Sequence, residues 1–271
     1  MSWTIERDRN VAVVWMRGTK ANAQNEAFFA DLHEAFDRLE GEFADCSVVL
    51  TAEGPIFSAG IDFESAFEKI ASADHDAIAD WVHTYEATNL RLWRHPRPTI
   101  AAVNGHAYAG GMITALDCDY RIAVEDARFS LNEVPIGIAM PAVYVEIIRY
   151  ALGNHAAALS TLFGQVYSAD EARRLGIVHT VTTPDRLVEQ AIEMARRVPT
   201  DAFAAYGYSK QALQAPAERH IHEVAADADH ELLPAILSAD ASVRLRAARY
   251  QEIKGRPPEW ARDLTPDAEQ S

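Results

Sequence analysis

The chain has 271 residues, 49% hydrophobic and 24% charged, with 40 acidic against 25 basic side chains and a formal net charge of −15. Intrinsic disorder is excluded, since it needs few apolar residues under high charge, and a chain this long buries ~70–75% of its unfolded surface without a disulfide or metal staple. The acidic excess argues against nucleic acid and anionic membrane surfaces as partners, because basic patches bind both.

Val11–Met16 (VAVVWM) is the first apolar run and reads as a strand buried on both faces. A helix is predicted over 26–39, with Phe28, Leu32, Ala35, Phe36 and Leu39 on one stripe. A second buried strand follows at 47–51, then a longer helix over 76–93, then strands at 98–103 and 120–124. This alternation predicts an α/β fold with parallel strands. The second half reads as helices over 143–152, 155–163, 168–175 and 184–198, the third opened by a Ser168-Ala169-Asp170-Glu171 capping box. From 201 to 254 only helical patterns occur; Gly255-Arg256-Pro257-Pro258 stops the last, and the acidic tail reads as frayed. We therefore expect a core over 1–198 and a helical C-terminal region over 199–271, with the boundary near Pro199-Thr200.

Cys46 and Cys118 have neither CxxC spacing nor a nearby His, so they read as buried thiols of a reducing compartment. The N-terminal MSWTIERDRN lacks the apolar stretch of a secretory leader, and no segment approaches the ~18 apolar residues of a membrane span. The cytoplasm is the expected location.

The signatures of dinucleotide folds, P-loops, zincins and nucleophile elbows are absent. His220, His222 and His230 read as surface histidines, and no metal is expected. Two glycine-containing turns stand out, each after a buried strand: Phe57-Ser58-Ala59-Gly60-Ile61-Asp62, and Asn104-Gly105-His106-Ala107-Tyr108-Ala109-Gly110-Gly111 ahead of a helical pattern at 112–116. Small residues admit close backbone approach, and a Gly pair opening a helix aims unpaired N–H groups outward. Taken separately, each reads as a turn and no more; converging, the two would place two N–H donors on one oxygen, as an oxyanion hole requires.

FSAGID and NGHAYAGG, some fifty residues apart, together resemble the crotonase (enoyl-CoA hydratase/isomerase) superfamily. Asn22-Ala23, Cys118-Asp119-Tyr120-Arg121-Ile122-Ala123, SADEARRLGIV and Ser209-Lys210 extend the likeness over nearly the whole chain. The resemblance implies a spiral of strand–strand–helix units, with a C-terminal helical region that builds homotrimers or hexamers. It implies an acyl-CoA substrate, with coenzyme A as part of that substrate and no separate cofactor, and an enolate held by the backbone N–H groups of Ile61 and Gly110. It also implies coenzyme A contacts at Lys20, Ala23, Ser58, Ala59 and Gly60. Arg91, Arg94 and Arg97 are further candidates for its phosphates, set against solvated helix-face arginines, and Lys210 either reaches a neighbour's coenzyme A or is exposed. Phe57, Trp81, Tyr85, Met140 and Tyr144 are candidates for the acyl tunnel, set against plain core.

Hydratases of this family use two glutamates, and alignment on Gly110 puts Ile113 at the first position. The second falls at Glu133, within SLNEVPIG, a segment that looks like that of the single-glutamate Δ3,Δ2-enoyl-CoA isomerases. Adding water needs two groups, one activating water and one supplying a proton; shifting a double bond needs one base that takes a proton and returns it. Isomerase chemistry with Glu133 as proton shuttle is the expectation. Hydratase activity, another reaction such as thioester hydrolysis, and acyl-CoA binding without turnover stay open, as does Glu133 serving as a helix cap or salt-bridge partner.

Overall fold

The chain opens with an antiparallel pair, β1 (Thr4–Asp8) and β2 (Val11–Met16). Helix α1 (Glu26–Glu40) starts where the Asn25 side chain accepts the Phe28 N–H, and it buries Phe28, Phe29, Leu32, Ala35, Phe36 and Leu39. It leads to β3 (Ser47–Ala52), which lies parallel to β2 with every residue buried. The computed structural model describes residues 3–18, 20–62, 65–66, 74–225 and 228–238.

Three strand–strand–helix units follow. β3 continues into β4 (Ile56–Ser58), followed by α2 (His75–Trp93). β5 (Thr99–Val103) continues into β6 (His106–Tyr108) and α3 (Gly110–Leu116). β7 (Tyr120–Val124) continues into β8 (Arg128–Ser130) and α4 (Ala142–Phe163). The long strands join β10 (Thr180–Thr182) in a six-stranded sheet of order β1-β2-β3-β5-β7-β10. The short strands pair with β9 (Tyr167–Ser168) as a second sheet, β4-β6-β8-β9. This is the spiral the resemblance implies. The pattern reading alone missed the second sheet, because runs of two or three residues carry no measurable alternation.

The helices predicted over 143–152 and 155–163 are one element, α4, broken at Gly153 (φ 72°, ψ 163°), a left-handed conformation that glycine takes without a Cβ penalty. The Ser168–Glu171 capping box forms as read, opening α5 (Ala169–Arg174). Helix α6 (Leu187–Ala195) seals the long sheet through Leu187, Ala191 and Ala195. Helix α7 (Phe203–His220), irregular helical turns at Ile221–Ala225 and Ala228–Leu232, and α8 (Leu233–Ser238) complete the described chain. The predicted stop at 255–258 and the acidic tail lie outside the described residues. Among the described residues no helix is long and apolar enough to cross a membrane.

Candidate active site

The two glycine turns meet. Asn22 donates to the carbonyls of Glu53 and Ile56, the Ser58 hydroxyl donates to the Asn22 carbonyl and accepts from Gly60, and the Ala59 N–H donates to the Ala21 carbonyl. These bonds hold Ser58–Gly60 against the segment around Ala23. Gln24 then pairs with Ile61 as a single parallel bridge: its N–H donates to Gly60 and its carbonyl accepts from Asp62. In that geometry the Ile61 N–H points away from Gln24.

On the second turn, Ala109 sits at φ 50°, ψ −129°, left-handed backbone that costs a non-glycine residue on the order of 1–3 kcal/mol. Its N–H donates to the Ser130 carbonyl, while its own carbonyl accepts from Met112 and Ile113, so the strained residue forces the turn from β6 into α3. The Gly110 N–H, in the first turn of that helix, has no intrahelical acceptor. No backbone acceptor among the described residues takes the N–H of Ile61 or of Gly110.

Only glycine fits where the turns touch. A Cβ on Gly60 would lie 2.7 Å from the Gly110 nitrogen, and one on Gly111 would lie 2.2 Å from the Ser58 carbonyl oxygen. The Gly60–Ile61 peptide therefore runs alongside the first amides of α3. A Cβ on Gly110 would meet the Tyr85 hydroxyl at 2.0 Å and Gln24 Oε1 at 2.3 Å.

Beside this junction lies a narrow cavity of about 40 Å³ lined by Ile61, Tyr85, Ile113, Glu133, Met140 and Tyr144, among others. Among the described residues Glu133 is its one carboxylate. It sits ahead of a single helical turn, Val134–Ile136, and its own carbonyl accepts from Ile136 and Ile138. Its side chain forms no cap hydrogen bond, and Oε2 is buried with no hydrogen-bond partner. The cap expected as one alternative is thus not made. Burial raises the Glu133 pKa from 4.5 to about 7, against a smaller lowering by backbone hydrogen bonding. Ile113, on α3, presents hydrocarbon to the same cavity.

A buried polar chain behind α3 was not legible as a site. The Tyr85 hydroxyl donates to Gln24 Oε1 (2.8 Å), and Gln24 Nε2 donates to the Gly110 carbonyl (3.2 Å) and to Thr114 Oγ1 (2.9 Å). Asn89 donates to the Tyr144 hydroxyl (3.2 Å) and to the Tyr85 carbonyl. Burial holds both phenols protonated, well above their usual range. The available signal was Gln24 itself, two residues beyond Asn22 within the polar stretch KANAQNE.

Other expected roles change. Tyr85, Met140 and Tyr144 line the cavity; Phe57 is fully buried core, and Trp81 stacks on Tyr85. Arg91 is bound by Asp37 and Glu40, Arg94 by Glu218, and Arg97 donates to the Ala44 carbonyl, so existing partners engage all three. Lys210 is not exposed: its side chain is 5% exposed, with Nζ 2.8 Å from Asp119 Oδ1. The side chain of Lys20 lies outside the described residues. His220 faces Glu146 and His222 faces Glu218, while the side chain of His230 is not among those described.

The family described as enoyl-CoA hydratase/isomerase matches residues 6–262. The chain is 34% identical over 209 residues to a putative enoyl-CoA hydratase of Thermus thermophilus, covering 76% of this chain and 81% of that one. It is 30% identical over 205 residues to the human mitochondrial Δ(3,5)-Δ(2,4)-dienoyl-CoA isomerase, covering 72% and 62%. Among solved structures, human mitochondrial Δ3-Δ2-enoyl-CoA isomerase superposes with a TM-score of 0.81 at 26% identity, covering 94% of this chain and all of that one. Given that match and the fold it accompanies, this chain belongs to the enoyl-CoA hydratase/isomerase family.

Proposed function

We propose that the protein shifts the double bond of an enoyl-CoA thioester from position 3 to position 2, with Glu133 as the only proton carrier. The observation that carries this is the cavity's composition: one buried carboxylate beside Ile61, its Oε2 without a hydrogen-bond partner, with Ile113 in place of a second acid. The thioester oxygen sits between the N–H groups of Ile61 and Gly110. The Glu133 carboxylate takes a proton from C2, and the C–H electron pair becomes a dienolate whose charge rests on that oxygen. The same carboxyl group returns the proton to C4 as the electrons move to C2=C3, so no water and no second acid are consumed. A base with a pKa near 7 suits both halves, being free to accept and then able to give. Removing one oxyanion donor typically costs ~10²–10³ in kcat.

Hydration of a 2-enoyl-CoA is the second reading, favoured by the name of the Thermus relative. It requires a second group to handle water; of the two tyrosines lining the cavity, Tyr85 is already donating its hydroxyl to Gln24, and the Tyr144 hydroxyl accepts from Asn89. The test offers 3-enoyl-CoA and 2-enoyl-CoA separately and follows the absorbance of the conjugated thioester. Isomerisation gains it from the first substrate and leaves the second unchanged. Loss of the signal from 2-enoyl-CoA, with no gain from 3-enoyl-CoA, would establish the hydratase instead.

A further inference from the structure

The C-terminal segment forms part of the same cavity, since Leu233 of α8 is among its lining residues. What attaches that segment is Asp229, 3% exposed, whose Oδ1 accepts the Ala142 N–H at 2.6 Å and whose Oδ2 accepts the Val143 N–H at 2.8 Å. It thus caps the first turn of α4 from 87 residues away, where the local N-cap position, Pro141, makes no side-chain cap. Met140, Pro141 and Tyr144, which flank that turn, are cavity wall. Asp229 is in turn hydrogen-bonded to Glu86 of α2, which is 4% exposed. Two carboxyl groups in such contact hold together only when one carries a proton and donates it to the other.

We propose that Glu86 and Asp229 are positioning residues, forming a proton-sharing clasp that ties α2, the start of α4 and the C-terminal segment together and so keeps the acyl side of the cavity closed. Both oxygens of Asp229 accept backbone N–H groups at a helix N-terminus, where the helix dipole favours negative charge. Glu86 is the acid: burial first, then the charge and hydrogen bond of Asp229, push its pKa from 4.5 to about 9. Among the described residues the phenol of Tyr144 on α4 also feels the charge of Glu86, and burial holds that phenol protonated, well above its usual range. When Glu86 ionises, two buried carboxylates confront each other and Asp229 lets go of α4.

The clasp is read without substrate, so it stands or falls separately from the isomerase reading; only its catalytic consequence rests on that reading. Native-state hydrogen exchange at the Ala142 and Val143 amides, normalised to the intrinsic chemical rate, is followed from pH 7.5 to 10 in the wild type and in Glu86→Gln, whose amide donates to Asp229 at every pH. Protection in the wild type is expected to fall about tenfold or more across the upper part of that range, and to stay level in the variant. On the kinetic side, KM for the thioester rises in alkali for the wild type alone, with kcat changing less. Wild-type protection that stays level to pH 10 overturns the proposal, as does a variant whose protection falls in parallel with the wild type. If Glu86→Gln does not fold, the wild-type exchange profile decides alone.

Discussion

Replacing Glu133 with glutamine removes the proposed proton carrier and a destabilising charge together. In the folded chain burial raises this carboxyl's pKa from 4.5 to about 7. Between those values the folded state binds more protons than the unfolded one, so stability is present in full below the unfolded pKa and declines as pH rises to about 7, where it levels off. At ~1.36 kcal/mol for each unit of that gap, the ionised carboxylate costs roughly 3 kcal/mol at pH 8. Glutamine resembles the protonated acid in shape and neutrality. Glu133→Gln is therefore expected to be more stable than the wild type by about 3 kcal/mol at pH 8, raising the melting temperature by about 6 °C, and by much less at pH 5. Isomerisation of 3-enoyl-CoA should be lost while thioester binding persists. Melting curves at both pH values, with the spectrophotometric assay at pH 8, check this. A stability gain absent at pH 8, or equal at pH 5 and pH 8, would refute the desolvated carboxylate on which the mechanism depends.

Wild-type kcat/KM should rise with pH and level off above about 7, as Glu133 becomes free to accept a proton; a rate–pH profile flat from pH 5.5 to 8 would contradict it. Gly110→Ala places a methyl group 2.0 Å from the Tyr85 hydroxyl, so either that hydrogen bond or the first turn of α3 must move, and kcat should drop ~10²-fold. Tyr85→Phe in the same chain should restore part of it, a coupling that a double-mutant cycle measures. Ile61→Pro deletes one proposed donor and should lower kcat ~10²–10³-fold, whereas Ile61→Val should act only through packing. Lys210→Ala leaves Asp119 without its cation and should destabilise the fold by about 3 kcal/mol, seen in denaturant melts, with KM for the thioester unchanged.

What the sequence settled alone is what short stretches of chain can encode. Apolar runs of five or six residues became the central strands, the stripe from Phe28 to Leu39 became the buried face of α1, and Ser168 with Glu171 closed its capping box, because periodicity and capping involve neighbours a few residues apart. The paired turns at Gly60 and Gly110 were legible as small-residue punctuation after strands, and the missing acid at Ile113 as a mismatch within a motif. Tertiary structure alone decided which groups those residues face. It brought Gly60 against the Gly110 nitrogen, matched Gln24 with a helix 86 residues away, tied Arg94 to Glu218, and turned Lys210 from an exposed candidate into the buried partner of Asp119. It also left Glu133 dry and seated Glu86 against Asp229. A side chain's chemistry belongs to the residue, but the free energy of its charge depends on the water and partners around it, and those come from distant parts of the chain.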